Sequence, residues 1–213
     1  GQLGLGNTTE KWTPTQVGTA SNWASVSAGA YHTVAVKTDG TLWAWGYNNN
    51  GQLGLGNTTN RDTPAQVGTD TNWASVSAGG WHTLAIKTGG TLWTWGRNNY
   101  GQLGLGDTTN RNAPIQVGSA SNWSSISGGG SDNGHTLAVK TDGTLWAWGN
   151  NGSGQLGLGD TINRNTPTQV GVATNWASVS GGGGSGGQNH TLAAKTDGTL
   201  SAWGDNSFGQ LGY

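Results

Sequence analysis

Residues 82–104 decide the fold, and they read HTLAIKTGGTLWTWGRNNYGQLG. The same pattern, with small changes, begins again at His32, His135 and His190. Its closing string GQLG starts at Gly1, Gly51, Gly101, Gly154 and Gly209, so successive copies lie 50, 50, 53 and 55 residues apart. A regular period of this length is typical of solenoids and propellers, and it outweighs the local propensity of any single segment.

Each copy contains short segments with the composition of β-strands. In the first copy, β-branched and aromatic residues predict strands over 23–27, 33–38 and 41–45, with a shorter one near 15–17. Asp39 and Gly40 predict a two-residue hairpin turn of type I′. Four short antiparallel strands make one propeller blade. We therefore predict an all-β propeller built of four-stranded antiparallel blades, with four blades in this chain.

The repeated pattern HTxAxKTDGTLWxWGxNxxGQLG resembles the regulator of chromosome condensation repeat, and the likeness covers essentially the whole chain. The resemblance implies a propeller, usually of seven blades, that serves as an interaction platform. It divides one propeller domain, or a segment of one, into repeats at about 1–50, 51–100, 101–153 and 154–208.

Four copies are fewer than the usual ring requires, which leaves three arrangements open. The chain is a segment of a longer propeller, closes alone as four blades, or pairs with a second chain as an eight-bladed ring. Each repeat buries its faces only against its neighbours, so an open arc would expose two sheet faces. We therefore favour a fragment or a half-ring, which includes a homodimer that completes the ring.

Composition excludes several classes of function. Only 9% of the 213 residues are charged and the net charge is −1, which argues against nucleic acid or an anionic membrane as partner. The chain has no cysteine, so it has neither disulfides nor thiolate chemistry. It contains no apolar stretch long enough for membrane insertion and no signal sequence. Its Thr-, Asn-, Ser- and Gly-rich composition predicts an extracellular or cell-surface bacterial protein.

The sequence predicts no catalytic, metal or cofactor site. The four histidines share one repeat position, and equivalent atoms on separate blades lie too far apart for metal–ligand bonds of about 2 Å. We expect structural hydrogen bonds from them instead. The GQLGLG strings lack the following helix that a phosphate loop needs. No Ser–His–acid set or carboxylate pair stands outside the repeat, so an enzyme is not expected.

The chain has 13 tryptophans, and eleven of them occupy three recurring positions, which predicts packing between blades. These are Trp23, Trp73, Trp123 and Trp176; Trp43, Trp93 and Trp146; and Trp45, Trp95, Trp148 and Trp203. Trp12 and Trp81 lie outside this scheme. Arg61, Arg111 and Arg164 also recur, and we expect them to bond backbone carbonyls in loops.

Positions that differ between copies are the candidates for binding. One loop precedes the repeated histidine and expands in the third and fourth copies to 128–134 and 181–189; a second loop follows Trp-Gly. Insertions in the same loop of every blade should gather on one face. The candidate binding residues are Tyr31, Tyr47, Trp81, Arg97, Tyr100, Asp132, Asn133, Gln188, Asn189 and Phe208.

These observations predict a non-catalytic scaffold that binds another protein through its variable loops. One alternative is a structural or self-assembling propeller fragment that completes a ring by oligomerisation. Another is a lectin-like carbohydrate-binding module. A multivalent lectin should repeat its site in every blade, whereas the aromatic loop residues change from copy to copy.

Overall fold

A computed structural model describes residues 1–184 and 188–212 of the protein, and these residues form fifteen β-strands. The strands are β1 (Trp23–Ala28), β2 (His32–Lys37), β3 (Leu42–Gly46), β4 (Arg61–Gln66), β5 (Trp73–Ala78), β6 (His82–Lys87), β7 (Leu92–Gly96), β8 (Arg111–Gln116), β9 (Trp123–Gly129), β10 (His135–Lys140), β11 (Leu145–Gly149), β12 (Arg164–Gln169), β13 (Trp176–Gly183), β14 (Asn189–Lys195) and β15 (Leu200–Gly204). The described residues contain no helix, and hence none that could cross a membrane. The first three strands of the first copy match the prediction to within one residue.

The strands form four antiparallel sheets, in the orders β1-β2-β3-β4, β5-β6-β7-β8, β9-β10-β11-β12 and β13-β14-β15. First strands of successive sheets contact one another, as β1 does β5, so they lie on the inner side and the fourth strands on the outer side. This is the predicted propeller architecture. The four sheets are called blades 1 to 4 below.

Blades do not coincide with sequence repeats. The outer strand of each blade follows the next GQLG string, so β4 of blade 1 lies in the second repeat. One prediction is therefore wrong: the segment near 15–17 is coil, since no described strand precedes it to pair with. Blade 4 has three described strands, because no further repeat follows it in this sequence to supply a fourth.

The turn between the second and third strands also differs from the prediction. In blade 1 the Gly40 N–H donates to the Lys37 carbonyl at 2.9 Å, so Thr38 and Asp39 are the central residues. Only Gly40 has a positive φ, 77°, whereas type I′ needs positive φ at both central residues. The Asp39 carboxylate instead accepts bonds from the Thr41 N–H (3.0 Å) and hydroxyl (2.6 Å), which fix the turn without left-handed geometry at Asp39.

Apolar cores lie between neighbouring blades. Between blades 1 and 2, for example, Val34, Leu42 and Leu53 pack with Trp73 and Trp95 in one buried cluster. Equivalent clusters join blades 2 and 3 and blades 3 and 4. Three junctions thus hold four blades, as expected where each repeat buries its faces only against its neighbours.

Eight of the eleven recurring tryptophans pack in these clusters between blades, as predicted, and the three of blade 1 do not. Trp73 contacts Trp93 and Trp95 with ring centroids 6.0 and 6.2 Å apart, and the Lys87 ammonium lies 4.1 Å from the Trp93 centroid. All eleven take part in such edge-to-face or tilted contacts within their blades. This geometry favours aromatic pairs and cation–π stacking.

The GQLG strings at Gly1, Gly51, Gly101 and Gly154 each form hydrogen bonds to the blade that follows them. The Gln52 carbonyl accepts hydrogen bonds from the Thr83 hydroxyl (2.8 Å) and the Trp95 indole N–H (3.0 Å). Gly54 has a φ of 73°, and a Cβ there would lie 2.7 Å from the Trp95 indole nitrogen. A side chain would therefore not fit at this glycine of GQLG, because the turn packs tightly against a buried indole ring.

Buried histidines link successive blades through the same threonines. His32 Nε2 lies 2.9 Å from the Thr83 hydroxyl, and His82 Nε2 lies 3.0 Å from that of Thr136. Because the threonine hydroxyl already donates to a glutamine carbonyl, the imidazole Nε2–H must donate to it. The predicted structural hydrogen bonds are confirmed at these junctions and, at 3.3 Å, for His135 and Thr191.

The row of blades is an open arc. In the described part of the chain, β13 does not pack on β1 as neighbouring first strands do. Leu200 of blade 4 is 68% exposed, whereas its counterparts Leu42, Leu92 and Leu145 are fully buried. Of the three arrangements left open by the sequence, this chain alone therefore does not adopt the closed four-blade ring.

Candidate binding face

The variable loops all lie at one end of the blades. In an antiparallel sheet, the loop that joins the first and second strands and the loop that leaves the third strand project from the same end. These are the two loops in which the sequence changes from copy to copy. We call this side the loop end; the Asp39-Gly40 turn and the 171–175 loop lie at the opposite end.

Three aromatic side chains meet at the loop end of blades 1 and 2. The Trp81 ring centroid lies 5.0 Å from that of Tyr31 and 5.1 Å from that of Tyr47, and the two tyrosines are 6.4 Å apart. Tyr47 is fixed by its backbone N–H, which donates to the Tyr31 carbonyl at 2.9 Å. Tyr31 is half exposed. We call Tyr31, Tyr47 and Trp81 the aromatic cluster.

A cleft of about 390 Å³ opens beside this cluster. The cleft brings the two tyrosines together with a cation, Arg61, and an anion, Asp62. Its lining consists of Gly1, Gln2, Thr8, Tyr31, Gly46, Tyr47, Asn60, Arg61 and Asp62. Its chemistry suits a partner that inserts an apolar group and forms polar contacts at the rim.

Arg97 extends the same surface toward blade 3. Its backbone N–H donates to the Trp81 carbonyl at 2.9 Å, and its guanidinium lies 3.1 Å from the Asp132 carboxylate. Such an ion pair at the surface adds little to stability because water screens it. The pair nevertheless places two of the predicted binding residues next to the aromatic cluster: Arg97 of blade 2 and Asp132 of the insertion in the third copy.

The inserted loops of blades 3 and 4 hold each other. The Asn189 amide donates to the Asn133 carbonyl at 2.8 Å, and the Ser131 hydroxyl donates to the Gly184 carbonyl at 2.8 Å. Asn189 is fully buried at the start of β14, so the prediction that it is an exposed loop contact is wrong. Gln188 is partly buried beside it, and residues 185–187 of this insertion lie outside the described residues.

The remaining candidates, Tyr100 and Phe208, make no aromatic contact with the aromatic cluster. Tyr100 is partly buried, and its N–H donates to the Gln102 side chain at 2.9 Å. Phe208 lies on blade 4 and is 80% exposed. Asp62 was not among the predicted binding residues. It lies on β4, an outer strand that comes from the next repeat, and the repeat pattern does not show to which blade that strand belongs.

Charged groups elsewhere stabilise the loops. Arg111 donates to the Thr109 carbonyl (2.7 Å) and the Asp107 carboxylate (2.6 Å), and Arg164 forms the equivalent bonds, as predicted for these arginines. The backbone bond from Thr109, followed by Arg111, lowers the pKa of Asp107. Over residues 1–184 and 188–212, no three His, Asp or Glu side chains gather as metal ligands would.

Comparison with known proteins shows the family. The RCC1-like domain matches this sequence over residues 1–213. The chain belongs to the RCC1-like domain family. The resemblance of its repeats to the regulator of chromosome condensation type is thereby confirmed.

Relatives match parts of the chain. Human RCC2 is 42% identical over 78 residues, which is 37% of this chain and 14% of RCC2. The human X-linked retinitis pigmentosa GTPase regulator is 44% identical over 78 residues, 37% of this chain and 8% of that protein. The chain therefore matches only a small part of these relatives.

Solved structures share the fold at low sequence identity. Human WBSCR16 superimposes with a TM-score of 0.74 and 24% identity, over 89% of this chain and 49% of that one. Prp20p of Saccharomyces cerevisiae superimposes with a TM-score of 0.75 and 22% identity, over 90% of this chain and 49% of Prp20p. This RCC1-like chain spans about half of each, consistent with an arc of a larger ring.

The relatives correct one prediction. An extracellular or cell-surface bacterial protein was expected from composition, but the relatives that match come from human, mouse, zebrafish, frog and worm. Thr-, Asn- and Gly-rich composition here reflects the turns and strands that the repeat needs, so it does not indicate the compartment.

Proposed function

We propose that this RCC1-like chain is a non-catalytic propeller segment that binds another protein at its loop end, with the aromatic cluster at the centre. The observation that carries the proposal is the convergence of three aromatic rings from two blades at the solvent, beside a cleft with both charges on its rim. Tyr, Trp and Arg are the residue types that dominate binding energy at protein interfaces.

The relatives support a protein as the partner. Prp20p has binding properties toward Gsp1p and histones, and a second structure shows Kap60 bound to it. The aromatic cluster also has no counterpart in the later blades, where Gly134 and Asn189 stand at the position of Tyr31 and Trp81. A single cluster suits one docking partner better than a sugar site repeated in every blade gap.

Photo-crosslinking tests the proposal even while the partner is unidentified. Tyr31 would be replaced by p-benzoylphenylalanine and the protein irradiated in a eukaryotic cell extract. The matched control carries the same group at Val172, which is 93% exposed in the 171–175 loop at the opposite end. We expect discrete protein adducts from position 31 and none from position 172. Adducts from position 172 alone would contradict the proposal.

The partner identified in this way can then be purified and its affinity measured. Trp81→Ala should weaken binding about 30-fold or more, because truncation of a central aromatic anchor costs about 2 kcal/mol or more. Val172→Ala should leave the dissociation constant unchanged. Equal affinities of Trp81→Ala and the unaltered protein would remove the aromatic cluster from the interface.

A second function, self-assembly into a closed ring, is favoured by the two open ends of the arc. The exposed Leu200 at one end and Val26, 69% exposed, at the other are apolar groups left in water. Light scattering on a size-exclusion column tests this function. A mass of about twice 21.7 kDa supports it, and a stable folded monomer at micromolar concentration contradicts it.

A further inference from the structure

Each end of the arc has one half of the junction that joins neighbouring blades. At the internal junctions a histidine of one blade bonds a threonine of the next, as His32 bonds Thr83 and His82 bonds Thr136. His190 of blade 4 has no following blade in this chain. Thr33 of blade 1 donates to the Gln2 carbonyl at 2.9 Å, as Thr83 does to Gln52, but no histidine precedes it.

At one end of the arc, blade 4 lacks an outer strand in the described part of the chain. At the other end, a segment with the sequence of an outer strand has no described strand to pair with. Residues 11–16, KWTPTQ, align with the outer strands RDTPAQ, RNAPIQ and RNTPTQ of blades 1 to 3. In this structure residues 11–16 are exposed coil, and Trp12 is 91% exposed. Meanwhile the outer edge of β15 has no partner strand among the described residues.

We infer that a second copy of this chain fills both ends by strand exchange, so that residues 11–16 of each copy form the outer strand of blade 4 in the other. This inference rests on the self-assembly proposed above. The same contact brings His190 of one copy to Thr33 of its partner. Two identical junctions then close a ring of eight blades, each with four strands, and leave only the short outer edge that each propeller blade has.

The repeat fixes the register of the exchanged strand. Ala44 pairs with Ala65, Thr94 with Ile115, and Ala147 with Thr168, in the third and outer strands of blades 1 to 3. The corresponding pair is Ala202 with Thr15 of the second copy.

Backbone donors and acceptors match as well. The Val67, Val117 and Val170 N–H groups donate to the carbonyls of Leu42, Leu92 and Leu145, each at 2.8 Å. The Val17 N–H would donate likewise to the Leu200 carbonyl. That contact would bury Leu200, which is 68% exposed in the single chain and whose counterparts are fully buried.

The glycines that precede each blade also indicate that blade 4, as far as the structure describes it, lacks an outer strand. The N–H groups of Gly6, Gly56 and Gly106 donate to outer-strand carbonyls of Asp62, Asn112 and Asn165, each at 2.8 Å. Gly159 is the corresponding glycine before blade 4. Its counterpart acceptor, by repeat position, is the carbonyl of Trp12 in the second copy.

Disulfide trapping tests the inferred register, and the absence of native cysteine makes it clean. The double variant Thr15→Cys with Ala202→Cys should form a covalent dimer on mild oxidation. Ala44→Cys with Ala65→Cys is the positive control, because the structure pairs these residues within one chain. Thr15→Cys with Ser201→Cys is the off-register control, since adjacent strand residues point to opposite faces.

The outcomes separate strand exchange from self-assembly in general. A covalent dimer from the Thr15/Ala202 pair, with none from the Thr15/Ser201 pair, supports the inference. A dimer by light scattering that fails to cross-link, while the positive control does, overturns strand exchange but leaves self-assembly standing. An internally linked monomer overturns both, because the chain would then close on itself. An unlinked monomer also overturns both.

Discussion

The histidines at the blade junctions are neutral, and this makes stability depend on pH. Burial lowers the pKa of His32 and His135 to about 3 and that of His82 to about 4; nearby histidines contribute further at His32 and His135. These values lie below the unfolded value of about 6.5, so the stabilisation is complete above that pH and is lost as the pH falls toward 3–4. We predict a loss of about 1.4 kcal/mol per pH unit for each histidine in this window. Urea unfolding at pH 7, 6 and 5 measures it, and equal midpoints would contradict it.

The threonine hydroxyl at each junction serves two partners at once. Thr83→Val keeps the shape of the side chain but removes its hydroxyl. In this buried site the His32 Nε2–H then loses its acceptor, and the Gln52 carbonyl loses one of its donors. We expect the free energy of unfolding to fall by about 1–3 kcal/mol. Thr69→Val, the same change at an exposed position, should be neutral. A loss at position 69 as large as at position 83 would refute this role.

At the scale of elements, the connector between blades depends on one buried asparagine. The Asn98 amide donates to the Asp107 and Thr109 carbonyls at 3.0 and 3.1 Å, and its oxygen accepts the Leu103 N–H at 2.9 Å. Asn98→Ala should lower the unfolding free energy by about 3 kcal/mol, because it leaves buried backbone groups unpaired. Denaturant titration measures the loss. Asn99→Ala changes an exposed neighbour and should differ little from the unaltered protein; similar losses for both variants would contradict the assignment.

The sequence predicted the elements better than their grouping into blades. Strands β1 to β3 follow from β-branched and aromatic content, and the roles of the recurring tryptophans and histidines follow from their periodicity. The outer strand could not be placed in this way, because a repeat has no intrinsic start and RDTPAQ belongs to the preceding blade. For the same reason Asp62 was missed from the cleft. Asn189 was misplaced because an insertion that looks like a free loop ends inside a strand.

At the scale of the whole molecule, the exposed end of blade 4 should control self-assembly. Leu200 is exposed in one chain and buried in the inferred ring, so Leu200→Ser should raise the dimer dissociation constant at least tenfold without unfolding the arc. Sedimentation equilibrium measures the constant. Val172→Ser, which changes an exposed apolar residue in the loop that leads into the same blade, should not alter it. Equal constants for all three proteins would place the contact elsewhere.

The candidate face is also a property of the whole molecule rather than of one repeat. Sequence variation indicated Tyr31, Tyr47 and Trp81 individually, and the antiparallel order of the strands explains why their loops share one end. That the three rings touch depends on how blade 2 packs beside blade 1, which the sequence of either repeat does not specify.

Electron microscopy of the purified chain tests the central claim most directly, because class averages viewed along the propeller axis show the number of blades and whether the ring is closed. The account predicts a closed ring of eight blades made from two copies. Open crescents of four blades, at concentrations where the protein remains folded, would contradict it.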